Sequence, residues 1–189
     1  MKNQFAQLIQ NNESVHIYYN IDDMRSYLDN LVSYIVSGIE QERHTLVIES
    51  ERLIPLIFEK LEEILTEDQL TYIHTINNFD YYCSSGSFQP AIIFEHLSRH
   101  LDPFYKNNTS FQICAHVECE HQEGIVPILE EFENEADKLV NKGGLHLVCA
   151  YDEERVPEVL KLALMKCHPY LILGNKIIPS NLYVMTDAV

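Results

Sequence analysis

Short β-forming runs separated by amphipathic helical stretches recur along this 189-residue chain, and that alternation constrains the fold more than any other feature. Val15-His16-Ile17-Tyr18-Tyr19 has the composition of a first strand. Over residues 22–39, Met24, Tyr27, Leu28, Leu31, Val32, Ile35, Val36 and Ile39 recur at spacings of three and four, which predicts a helix capped by Asn20 or Asp22. Thr45–Glu49 reads as a second strand and 53–65 as a helix with Pro55 in its first turn. Thr71–Thr75 is a third strand, 77–89 an irregular stretch, and Pro90–Tyr105 a helix broken by Asn107-Asn108. Phe111–Val117 is a strand, and 125–141 a helix that stops at Gly143-Gly144. The nearly unbroken apolar run Leu145–Tyr151 fits a strand covered on both faces. A helix over 155–166, a short strand Tyr170–Leu173 and a last strand Leu182–Met185 complete the pattern. Strands joined by helices of this length make βαβ crossovers, so the expected fold is α/β: a three-layer α/β/α sandwich around a mostly parallel sheet, in a single domain over 1–189.

Charge narrows the function. Lys and Arg number 13 against 29 Asp and Glu, a formal charge of −16, and a surface this acidic repels phosphate backbones. Direct nucleic-acid binding is therefore not expected, whereas a basic protein partner is compatible. No run approaches the roughly 20 apolar residues of a membrane span, and the N-terminus lacks the apolar core of a signal peptide. The odd cysteine count (Cys83, Cys114, Cys119, Cys149, Cys167) without a Cys-x-x-Cys pair points to free thiols and a reducing cytoplasm. Cys149, inside the most apolar strand, reads as inert core.

The phosphate-binding motifs of nucleotide enzymes are missing: neither G-x-x-x-x-G-K-[ST] nor G-x-G-x-x-G occurs. The turn after the first strand, Tyr19-Asn20-Ile21-Asp22-Asp23-Met24, places two carboxylates where a phosphate would need amides and a lysine. Ser84-Ser85-Gly86-Ser87 is not a nucleophile elbow, and no enzymatic activity or cofactor is expected. The densest polar stretch, His116 to His121, follows a strand end, where α/β sheets open their ligand crevice. His116, Glu118 and His121 are the weak metal candidates it offers, with Glu49 ending the neighbouring strand on the same side. Aromatic residues gather at Tyr18-Tyr19 and at Tyr81, Tyr82 and Phe88, the composition of a small-molecule pocket.

Several of these segments occur together in one known family. His16-Ile17-Tyr18-Tyr19 with Gly38-Ile39-Glu40 ahead of Thr45–Ile48, Tyr82 with Gly86-Ser87-Phe88-Gln89-Pro90, Phe132-Glu133-Asn134-Glu135, and Leu147-Val148-Cys149-Ala150-Tyr151-Asp152 followed by His168-Pro169 resemble the motifs of MEDS, a sensory domain named for methanogens, methylotrophs and a dichloromethane-responsive repressor. The resemblance spans about residues 14–175. In the fourth strand, where the family carries an arginine and a G-E-M-x-W-like stretch, this chain reads Cys114-Ala115-His116-Val117-Glu118-Cys119, and only Glu118 corresponds. Family resemblance implies a degenerate KaiC/RecA-like core without a working phosphate loop, and a stand-alone sensory or regulatory protein that binds a small ligand and signals to a partner such as a kinase or a transcription or sigma-factor control protein. His16, Tyr18, Tyr82, Phe88, Glu118 and His168 are the ligand-contact candidates on this basis. The alternative is a ligand-free acidic module that inhibits or bridges a basic partner. A homodimer through exposed sheet edges is compatible with either.

Overall fold

In the computed structural model, residues 1–118 and 124–184 are described, and β1 (Val15–Ile21) lies inside the sheet they form, hydrogen-bonded on both sides. Seven strands run in the order β3-β2-β4-β5-β1-β6-β7, with β2 at His44–Glu49, β3 at Ile73–Asn77, β4 at Phe111–His116, β5 at His146–Asp152, β6 at Tyr170–Leu173 and β7 at Lys176–Pro179. Every pairing is parallel except β6 with β7, which form a terminal hairpin around Gly174. The expected α/β/α sandwich is thus the observed one. No helix among the described residues is long and apolar enough to cross a membrane.

Alternation along the strands builds two cores. Val15, Ile17, Tyr19 and Ile21 of β1 and Val148 and Ala150 of β5 face α1 (Lys2–Asn11), α2 (Met24–Ile39) and α3 (Ile54–Glu62). On the opposite face, Tyr18 of β1 and Cys149 and Tyr151 of β5 meet α5 (Asn78–Cys83), α6 (Pro90–Lys106), α7 (Ile125–Gly143) and α8 (Glu158–Cys167). α2 ends where its sequence predicts but begins at Met24 rather than at 22, because its cap is neither Asn20 nor Asp22 but Asp23, whose carboxylate accepts from the Ser26 amide at 2.8 Å. A four-residue helix, α4 (Glu67–Leu70), is held by a Thr66/Gln69 capping box.

Four expectations need correction. Of the strand expected over Leu182–Met185, Leu182–Val184 are turn and coil and Met185 lies outside the described residues; the last strand among the described residues is β7, whose register sets Ile178 opposite Leu171 and Ile177 opposite Ile172. Residues 77–89 are not wholly irregular, because Asn77 accepts from the Asp80 amide and starts α5. The first fourteen residues, to which the sequence pattern assigns no element, contain α1, which buries Phe5 and Ile9 against α2. Finally, the helix expected over 155–166 opens later, at Glu158 behind Pro157, with a single 3-10 turn over Glu153–Arg155 before it.

Candidate functional site

Beneath α7 and α8, the sheet face carries a cluster of ionisable side chains out of reach of water. His16 comes from β1, and Cys149 from the adjacent β5, where the register sets Tyr18 opposite Cys149 and His16 opposite Leu147. These residues therefore lie on one face as diagonal neighbours. Glu133 and Asp137 stand one turn apart on the inner face of α7, and His168 follows α8 directly. All five are buried.

The two imidazoles and both carboxylates are held from behind. His16 Nδ1–H donates to Asp137 Oδ1 at 3.1 Å, and Asp137 Oδ2 accepts from Tyr183 Oη at 2.9 Å and Asn141 Nδ2 at 3.2 Å. His168 Nδ1–H donates to the Leu164 carbonyl at 2.7 Å. Glu133 Oε1 accepts from the Tyr151 hydroxyl. These contacts turn the remaining atoms toward one another: His16 Nε2 lies 3.5 Å from Glu133 Oε2 and 3.5 Å from Cys149 Sγ, and His168 Nε2 lies 3.4 Å from Glu133 Oε2. The two imidazoles overlap with ring centroids 3.9 Å apart.

Electrostatics differentiate these groups. Burial opposes a proton on His16, but the hydrogen bond to Asp137 and the nearby Glu133 carboxylate outweigh it and raise its pKa above the ordinary imidazole value. His168 moves the other way, lowered by burial and by the neighbouring His16. Burial opposes the Glu133 charge, yet His168 and His16 hold that carboxylate well below its usual range. Burial, reinforced by Glu133, pushes the Cys149 thiol far up.

Cys149 also forms part of the wall of a cavity of about 30 Å³ between the sheet and α5, α6 and α7. Its other walls are apolar and aromatic, including Tyr81, Tyr82, Phe94, Phe132 and Ala136. Tyr82 stacks on Phe88 at 5.7 Å, and Phe132 meets Phe88 edge-on at 5.1 Å. As it stands, a hollow this size holds one or two water-sized occupants, and anything larger enters only if its walls yield.

A second polar cluster lies on the other face, at the carboxyl ends of the strands. His116 Nδ1–H donates to Glu49 Oε1 at 2.9 Å, and its Nε2 sits 3.3 Å from Asp152 Oδ1. Glu49 also accepts from the Tyr27 hydroxyl at 2.6 Å and the Ser50 amide at 2.6 Å. Glu118 pairs with Arg155 instead of joining His116, so the expected His116/Glu118 pairing does not form; His121 lies outside the described residues. Of the six ligand-contact candidates, His16 and His168 sit together with Tyr18 beside them (ring centroids 5.8 Å from His168), Tyr82 and Phe88 pack around the adjoining chamber, and Glu118 stands apart.

The segments that build both the buried cluster and the chamber fall inside one region of similarity. The sequence profile of MEDS, the methanogen/methylotroph, DcmR sensory domain, matches residues 15–169. The chain belongs to the MEDS family. It is accordingly a sensory-type domain. None of the curated proteins compared matches it.

For this MEDS domain, sequence reasoning missed Glu133, Asp137, Cys149 and Tyr151 as site residues. The signal was present: two acids four apart on the helix face that carries Phe132 and Ala136, and a cysteine on the strand face shared with His16. What hid it is that acids on a helix ordinarily face solvent and a cysteine in an apolar strand ordinarily packs as a hydrophobe.

Proposed function

We propose that this MEDS domain takes a small apolar molecule into the chamber beneath α5 and answers by changing its association with a partner protein. The observation that carries this is the chamber itself, an aromatic-lined hollow walled by motif residue Tyr82 and by Cys149 of the buried cluster. Protein interiors are ordinarily close-packed, and voids cost stability in proportion to their volume.

α5 suits the coupling role. Its inner side presents Tyr81 and Tyr82 to the chamber, while Phe79 on the same short helix is 57% exposed. The segment that follows turns at Gly86 with φ of 82° before α6 begins. An occupant that favours one placement of α5 shifts the population of the outer surface bearing Phe79; one that fits both placements equally signals nothing. The acidic surface gives the partner a basic face to match. No catalytic step forms part of this function.

Dichloromethane and xenon, each of which enters only as α5 yields and widens the chamber, are suitable probes, followed by thermal unfolding. A probe at a hundred times its dissociation constant stabilises the fold by about 2.7 kcal/mol. Ala136→Val adds two methyl groups to the chamber wall and is expected to abolish that stabilisation while changing the probe-free stability by no more than about 3 kcal/mol. Equal stabilisation of the Ala136→Val variant and the native chain would place the probe elsewhere and refute this assignment.

A further inference from the structure

Among the described residues, one group of histidine, cysteine and carboxylate side chains brings its donor atoms into a single small volume: one atom each from His16, Glu133, Cys149 and His168, all within 4.8 Å of one another. The set is two imidazoles, a carboxylate and a thiol, the ligand types that zinc takes in tetrahedral sites. We propose that these four side chains bind one divalent transition-metal ion of the zinc class.

Two independent features point to a cation. The first is an unanswered pair of buried acceptors. His168 Nδ1–H is committed to the Leu164 carbonyl, which leaves the lone pair of Nε2 facing the carboxylate oxygen Glu133 Oε2 at 3.4 Å. Neither Nε2 nor Oε2 makes a hydrogen bond, and both side chains are fully buried. Two buried acceptors facing each other cost several kcal/mol by the usual desolvation penalty unless a proton or a metal ion lies between them, and the convergence of His16 Nε2 and Cys149 Sγ on the same small volume favours the metal.

The second feature is spacing. Zinc bonds of about 2.0–2.3 Å in a tetrahedron set neighbouring ligand atoms about 3.3–3.6 Å apart. The separations are 3.5 Å for His16 Nε2 to Glu133 Oε2, 3.4 Å for His168 Nε2 to the same oxygen, and 3.5 Å for His16 Nε2 to Cys149 Sγ. Three of the six edges already have the length that a bound ion requires.

The surroundings match what metal ligands need behind them. A metal-binding histidine typically gives its other N–H to a carboxylate or a carbonyl, which fixes its tautomer and aim. Here Asp137 does this for His16 and Leu164 for His168, while the Tyr151 hydroxyl holds the far oxygen of Glu133. Charge at the ion closes as well: a thiolate and the Glu133 carboxylate neutralise a divalent ion with both imidazoles neutral, while the Asp137 carboxylate behind His16 is answered by His16, Tyr183 and Asn141 donors. Binding then releases the thiol proton of Cys149 and any proton on His16 Nε2, so affinity rises with pH. With four protein ligands and no open position, the site is closed, and its role is to tie β1, β5, α7 and the end of α8 together.

Cobalt(II) substitution tests this directly. Titrating the metal-free chain with Co²⁺ is expected to produce tetrahedral visible bands and a thiolate charge-transfer band that saturate at about one ion per chain and vanish when Zn²⁺ is added. Cys149→Ser is expected to lose the charge-transfer band, His168→Ala the tetrahedral spectrum, and Asp137→Asn about 10–100-fold in Zn²⁺ affinity. His116→Gln, in the other cluster, is expected to bind as the native chain does. Circular dichroism identifies any variant that fails to fold, and the native chain's own spectrum decides the matter in that case. A featureless spectrum from the folded native chain overturns the site, as do native-like bands in folded Cys149→Ser and His168→Ala. Because only Cys149 is shared with the chamber, Ala136→Val is expected to keep its metal, so loss of the probe response and loss of the metal are separate outcomes.

Discussion

Single side chains decide how this domain responds to pH. Burial works against a proton on His116, but the hydrogen bonds to Asp152 and Glu49 and the charges of both outweigh it, raising its pKa to about 9. Because the folded value lies above the unfolded one, the stabilisation is complete below about pH 6.5 and is lost as pH rises toward 9, an amount of about 3 kcal/mol. Urea unfolding at pH 6 and pH 9.5 is expected to show the native chain losing that much more stability than His116→Gln; parallel losses would contradict the pairing. Legibility at this scale is partial. His16, Tyr18, Tyr82, Phe88 and His168 stand in recognisable motifs, and the structure sets each in or beside the cluster and chamber. Period-two alternation groups Glu118 with His116, but alternation fixes only the face, and Arg155 draws Glu118 away from beyond the β5 end.

At the scale of elements, the strands and long helices are legible because their periodicities are strong: β5 is an apolar run and α2 a stripe of eight apolar side chains. What cannot be read is what tertiary contact imposes. α5 has six residues, too few for periodicity to be seen, and is fixed by an Asn77 cap and by Tyr81 and Tyr82 inserting into the core. β7 is visible only as an antiparallel partner for β6, since its own four residues carry little pattern. α2 also contains the one glycine whose absence of a side chain is enforced by a neighbouring element. A Cβ on Gly38 would come within 2.2 Å of Nε2 of the buried Gln112, which donates to the Tyr34 carbonyl at 3.0 Å and to Thr45 Oγ1 at 3.2 Å. Gly38→Ala is expected to destabilise the domain by about 1–3 kcal/mol despite alanine's helix preference of about 1 kcal/mol. Combined with Gln112→Ala, which removes the obstruction, the two changes are expected to be non-additive by denaturant unfolding. A stabilised Gly38→Ala chain would show that α2 and β4 are not held this closely.

Across the whole molecule, strand order gathers distant segments into one site. β1 and β5 lie side by side although about 130 residues separate them, and α7 and α8 then cover their shared face. The fold class followed from the alternation of elements alone, whereas the strand order and the convergence of His16, Glu133, Cys149 and His168 depend on which crossover passes over which face, and no local pattern states that. The same topology leaves the chamber under α5 next to the buried cluster, and the proposed ligand response rests on that chamber accepting a molecule. Methyl-detected NMR during titration with dichloromethane measures this most directly. Saturable shifts are expected, centred on Ile48, Leu97, Ile113 and Leu147, which line the chamber, with the α2–α3 core on the opposite face unmoved. Saturable shifts confined to surface methyls, or none at all at the solubility limit of the probe, would contradict it.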